Sequence, residues 1–83
     1  MNTPDWLTQH GGSLTLGSDK KTWYVVFSGK PQYALEPLPA KNQFNCMVRQ
    51  TINGQRIASE TIFPNGDDAL RGGLEDLRQS LGW

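Results

Sequence analysis

Residues 44–63 read FNCMVRQTINGQRIASETIF, and no other stretch comes so near to dictating its own geometry. Asn53-Gly54 lies at the centre. A two-residue type I′ turn needs positive φ at both central positions, which Asn and Gly tolerate best. Folded about that turn, Phe44 faces Phe63, Cys46 faces Thr61, Val48 faces Ser59, Gln50 faces Ile57 and Ile52 faces Gln55. The alternate set pairs Asn45 with Ile62, Met47 with Glu60, Arg49 with Ala58 and Thr51 with Arg56. Side chains alternate across a strand, so the first set makes a largely apolar face and the second a mostly polar one. Phe44 opposite Phe63 adds a cross-strand aromatic pair at the open end.

Residues 22–28 (TWYVVFS) combine aromatic and β-branched side chains without a breaker and predict a strand. Trp23, Val25 and Phe27 fall on one face, Tyr24 and Val26 on the other. A strand apolar on both sides sits centrally with both faces covered. The C-terminal helix can cover one face; the other needs the N-terminal helix, the following loop or a partner. Residues 13–16 alternate polar and apolar, and Gly17-Ser18-Asp19-Lys20 reads as a turn. Residues 29–43 (GKPQYALEPLPAKNQ) contain Pro31, Pro37 and Pro39. After a turn at Ser28-Gly29-Lys30-Pro31, residues 32–36 predict a short edge strand that Pro37 ends, with the prolines guarding the edge.

The ends of the chain are helical. Thr3-Pro4-Asp5 supplies a capping hydroxyl, a proline at the first helical position and an acid in the first turn. Trp6, Leu7 and His10 follow, and Gly11-Gly12 stops a helix of about two turns that must dock to be stable. Near the other end Asn65 is an N-cap, with Asp67 and Asp68 complementing the helix dipole. Leu70, Leu74, Leu77 and Leu81 form one apolar stripe at helical spacing. Gly73 falls on that stripe, so a close approach to the sheet accounts for it. Gly72 points away from the stripe and has no such reason. Trp83 is placed to fold back and close the core. The expected fold is α+β in two layers: a short N-terminal helix, an antiparallel meander of four to five strands, and a C-terminal helix packed on one face. The 83 residues form one small domain.

Composition narrows function. Apolar residues make up 36% of the chain, enough for a core. One cysteine excludes an internal disulfide, and no apolar run has the ~15–20 residues of a signal or membrane segment, so the expected setting is reducing and cytoplasmic, with no membrane partner. Met1 fits a natural N-terminus and a complete small protein. Zero net charge argues against a dedicated polyanion binder. The zero hides a basic middle (Lys20, Lys21, Lys30, Lys41, Arg49, Arg56) and an acidic end (Glu60, Asp67, Asp68, Glu75, Asp76).

Catalytic groups are sparse. His10 is the sole histidine, at a helix end where it caps carbonyls or is solvated. Cys46 lies on the apolar hairpin face and behaves as a small hydrophobe. One Cys and one His assemble no zinc site, and Asp67-Asp68 and Glu75-Asp76 fit a capped helix better than a metal site or a two-carboxylate hydrolase. Asn65-Gly66-Asp67 is too short for a calcium loop, and Gly72-Gly73 is no phosphate loop. The expectation is a protein without catalysis, cofactor or metal. Its surplus apolar surface, including Tyr33, Leu35 and Leu38, points to a protein-interaction module that docks on another chain or on a second copy of itself. The alternative is a nucleic-acid-binding domain, because bases interleaved with aromatics on a sheet suit stacking and phosphate contact. For either partner the candidate surface is Lys20, Lys21, Tyr24, Lys30, Tyr33, Arg49 and Arg56.

Overall fold

The computed structural model describes residues 3–57 and 61–83. Helix α1 (Asp5–Gln9) is followed by strands β1 (Gly12–Leu16), β2 (Trp23–Phe27), β3 (Lys30–Ala40), β4 (Gln43–Gln50) and β5 (Arg56–Ile57), then helix α2 (Gly66–Leu81). The strands form a single antiparallel sheet in the order β1-β2-β3-β4-β5. The α+β architecture is the one read from the sequence.

Type I′ geometry occurs, but not at Asn53-Gly54. Ser28 and Gly29 (φ 54° and 76°) join Phe27 to Lys30, and Lys41 and Asn42 (φ 49° and 67°) join Ala40 to Gln43. Both links have positive φ at both central residues, the primed form whose twist matches the flanking strands. At the expected turn only Gly54 has positive φ. Gln50 N–H donates to the Gln55 carbonyl and Gly54 N–H to that of Gln50, both at 2.8 Å, so residues 51–54 form a four-residue loop. Asn53 Oδ1 accepts from Gln55 N–H instead of lending its backbone to the turn.

The longer loop moves the register by two residues. Val48 pairs with Ile57 and Arg49 with Arg56, not with Ser59 and Ala58. Ala58, Ser59 and Glu60 lie outside the described residues. Phe44 still meets Phe63, exchanging both backbone hydrogen bonds at 2.8 and 2.7 Å. A shift of two keeps every side chain on its own face. Cys46 and Val48 are therefore buried as expected, whereas Ile52 sits at the loop tip, 87% exposed.

β3 overturns the expected short edge strand. It runs from Lys30 to Ala40 and is central, between β2 and β4. β2 pairs with it only as far as Leu35, through a bulge at Val25/Val26, while β4 continues to Ala40. Pro37 and Pro39 lie in that second half, opposite Cys46 and Phe44. Phe44 gives its own N–H and C=O to Phe63, so the prolines occupy positions that make no ladder bond to β4. Their missing donors face the side where β2 has ended, which is how a strand tolerates proline.

Both helices lie on the same side of the sheet, so α1 does not cover the second face. Leu7 of α1 joins Val25, Leu35, Cys46, Val48, Leu70, Leu74 and Leu77 in one core. Thr3 does not cap α1: Pro4 holds the cap position without a side-chain bond, and Thr3 Oγ1 accepts from Leu14 N–H of β1. Asn65 does cap α2, accepting from Asp68 N–H at 2.8 Å. Gly73 lies against Cys46 and Leu35, where a Cβ would stand 3.0 Å from Cys46 Cβ. Gly72 also has a reason to be glycine, because the Phe63 ring fills the space of its Cβ, with Cε2 2.7 Å away. Phe63, bridged to Phe44 at the sheet, reaches the helix from outside it, which a stripe drawn on the helix alone does not reveal.

At its far end α2 finishes in a Schellman cap. Gly82 takes the left-handed conformation (φ 76°), its N–H donating to the Gln79 carbonyl and that of Trp83 to Arg78. The cap turns Trp83 back onto His10, Trp6 and Phe27. The expected closure by Trp83 occurs, and His10 serves as its stacking partner.

Candidate functional site

The face without helices is built by alternation. β2 contributes Tyr24 and Val26; β3 contributes Ala34, Glu36 and Leu38; β4 contributes Asn45, Met47 and Arg49; β5 contributes Arg56. Register aligns Thr15, Tyr24, Ala34, Arg49 and Arg56 in one row across all five strands. Ala34 lies between the long side chains of Tyr24 and Arg49 and is only 1% exposed. The Tyr24 ring leans over Gly17, with Cε2 2.8 Å from where a Cβ would stand.

Arg49 and Arg56 are directly opposed on neighbouring strands, an arrangement in which like charges repel. Both guanidinium groups turn to Met47: Arg49 Nη1 lies 4.0 Å from its sulfur and Arg56 Nη2 3.6 Å. A thioether is a weak, neutral acceptor and leaves both charges unbalanced. Among the described residues the ion pairs are Arg71–Asp68 and Arg78–Glu75, both on α2, and none involves Arg49 or Arg56. Glu36 pairs by register with Met47 on the same face. Asn45 Oδ1 is buried and, among the described residues, accepts no hydrogen bond.

Of the expected surface, the structure brings together Tyr24, Arg49 and Arg56. Lys20 and Lys21 lie in the turn between β1 and β2, at one end of the sheet, and Lys30 starts β3 at the other. Tyr33 is on the helix side, packed against the core beside Val25. The alternation of β4 already placed Met47 with Arg49, but nothing local marks it as the atom both arginines touch. That contact depends on the return strand shifting by two.

No family model, curated protein or solved structure matches the chain. Function must therefore be argued from the residues. Among those described, no group of three His, Cys, Asp or Glu side chains could hold a metal. No helix among them is long and apolar enough to cross a membrane.

Cys46 is the other chemically distinctive group. Burial, then the nearby charge of Asp76, pushes its thiol up to about 12. It faces Gly73 in the core, a position for packing and not for attack on a substrate.

Proposed function

We propose that this protein is a non-catalytic protein-interaction module that docks through the sheet face opposite its helices. The observation that carries this reading is the row of Tyr24, Ala34, Arg49 and Arg56 on that face, with its arginine charges opposed and unbalanced by the described residues. The opposed charges and the bondless Asn45 Oδ1 both cost stability, and such departures are expected where a surface is shaped for contact. The lone, buried Cys46 supports a reducing, cytoplasmic setting.

Area favours a transient contact over a stable homodimer. With about 4.8 Å between strands and about 3.3 Å per residue, the 31 strand residues offer roughly 500 Å² of flat surface. A standard interface takes about 800 Å² from each partner. The test is site-specific photo-crosslinking in cells, with the reactive group at Val26 or Leu38 on the open face and at Gln79 on α2 as control. Discrete adducts from the open face alone are expected; equal labelling at Gln79, or none anywhere, defeats the reading.

A second reading, nucleic-acid binding, draws support from Tyr24 sharing a row with two arginines. Glu36 on the same face and the zero net charge weigh against it. It requires oligonucleotide affinity that falls steeply with salt.

A further inference from the structure

We infer that Arg49 and Arg56 form a clamp for one carboxylate, supplied by an acidic side chain of the partner protein. The inference rests on the open sheet face being the docking surface. Register sets the two arginines opposite one another, and Met47 gathers their ends: Arg49 Nη1 and Arg56 Nη2 touch the same sulfur atom at 4.0 and 3.6 Å. The two nitrogens are thus within about 8 Å of each other, the sulfur distances laid end to end. A carboxylate with charge-assisted bonds of about 2.8 Å from each oxygen spans a gap of that size. Guanidinium is the cation suited to such planar, directional contact.

Three features select a single carboxylate over a polyanion. Glu36, beside Met47, repels a second negative charge placed further along the face. Lys20, Lys21 and Lys30, which a phosphate backbone would use, are divided between opposite ends of the sheet. Leu38 and Val26, both half-buried, add apolar surface elsewhere on the same face, which suits a polypeptide. The free protein keeps the clamp open by parking both guanidinium groups on a neutral sulfur.

The experiment follows the arginine Nε–Hε resonances of the intact protein by NMR while a capped Gly-Glu-Gly peptide is added. Saturable shifts at Arg49 and Arg56 are expected in a range of about 1–50 mM, at least roughly fivefold smaller with Gly-Gln-Gly, and absent in Arg56→Gln. Arg56 is exposed, so the amide spectrum of that variant should otherwise match the wild type. Equal responses to the two peptides, or none, overturn the clamp. So does tighter binding of a dinucleotide phosphodiester. Glu60 lies outside the described residues, and Glu60→Gln asks whether the chain supplies its own carboxylate. Movement of both arginine signals in that variant without peptide overturns a clamp for a partner. The crosslinking test separates the two readings: open-face adducts without a carboxylate response sink the clamp alone, whereas absence of adducts removes the docking surface itself.

Discussion

Trp83 lies flat on His10, with ring centroids 3.8 Å apart and planes 5° from parallel. The same indole meets the edge of Phe27 at 5.7 Å and Trp6 at 6.2 Å, so one side chain joins α1, β2 and the end of α2. Its approach is fixed by the αL cap at Gly82 and by Arg78, which donates to the Trp83 carbonyl through Nη1.

Removing that ring should loosen α1 from the domain. Trp83→Ala is expected to cost about 2 kcal/mol, below the ~3–5 kcal/mol of a fully buried aromatic because the residue is 38% exposed. Urea unfolding monitored by circular dichroism measures the loss. Backbone amides of α1 should exchange faster before those of β3. An unchanged midpoint would mean that the cluster contributes nothing to stability.

Glycine-to-alanine changes in α2 should lower stability, against their helix propensity. In an open helix each would gain about 1 kcal/mol. Here the added methyl meets Phe63 at Gly72, and Cys46 and Leu35 at Gly73. Overpacking of this kind costs about 1–3 kcal/mol. Gly73→Ala should be the more damaging, since Cys46 is held in a central ladder while the partly exposed Phe63 ring can swing aside. Cys46→Ala should recover part of the Gly73→Ala loss in a double-mutant cycle, and strict additivity would argue against direct contact.

Asp19 makes the β1–β2 turn sensitive to acid. Its carboxylate accepts from the backbone N–H groups of Thr22 and Lys21, both at 2.9 Å, and from the Thr22 hydroxyl at 2.8 Å. These bonds, the Thr22 backbone foremost, lower its pKa from 3.8 to about 2. A folded pKa below the unfolded one gives stability that is present above pH 3.8 and is lost as pH falls towards 2. The stability difference between wild type and Asp19→Ala should therefore shrink over that interval. A difference independent of pH would assign the turn's stability to something other than the ionised carboxylate.

Cys46 should be inert while the protein is folded. With its thiol raised from 9.0 to about 12, it holds almost no thiolate at neutral pH. A disulfide reagent should react slowly, at a rate set by opening of the core, and at once in denaturant. The unfolded thiol ionises first as pH rises, so stability should fall between pH 9 and 12 in the wild type and not, from this source, in Cys46→Ala. Rapid labelling of the native protein would contradict burial.

Much of the fold could be read along the chain because its causes are local. The leucine stripe at 70, 74, 77 and 81 and the Asn65 cap act within a turn or two of helix. The alternation of Cys46 and Val48 against Met47 and Arg49 follows from the pleat, and a register shift of two leaves it intact. On the open face, Arg49 and Arg56 were legible for the same reason.

The remainder depends on which strand lies beside which. Primed turns formed at Ser28-Gly29 and Lys41-Asn42 because the sheet's twist and pairing impose positive φ there, while Asn53-Gly54 closed a longer loop. β3 could carry Pro37 and Pro39 because β2 ends at its Leu35 partner, a limit invisible in the sequence of β3. Tyr24 and Tyr33 carry the same chemistry but went to opposite faces through the β2–β3 register. Gly72 beneath Phe63, Trp83 against His10, and two arginines on one sulfur each join residues from different elements. Capping and periodicity are energies of neighbours and survive in the sequence as patterns. Contacts between distant segments exist only once the chain has closed on itself, and those contacts built the surface that this protein presents.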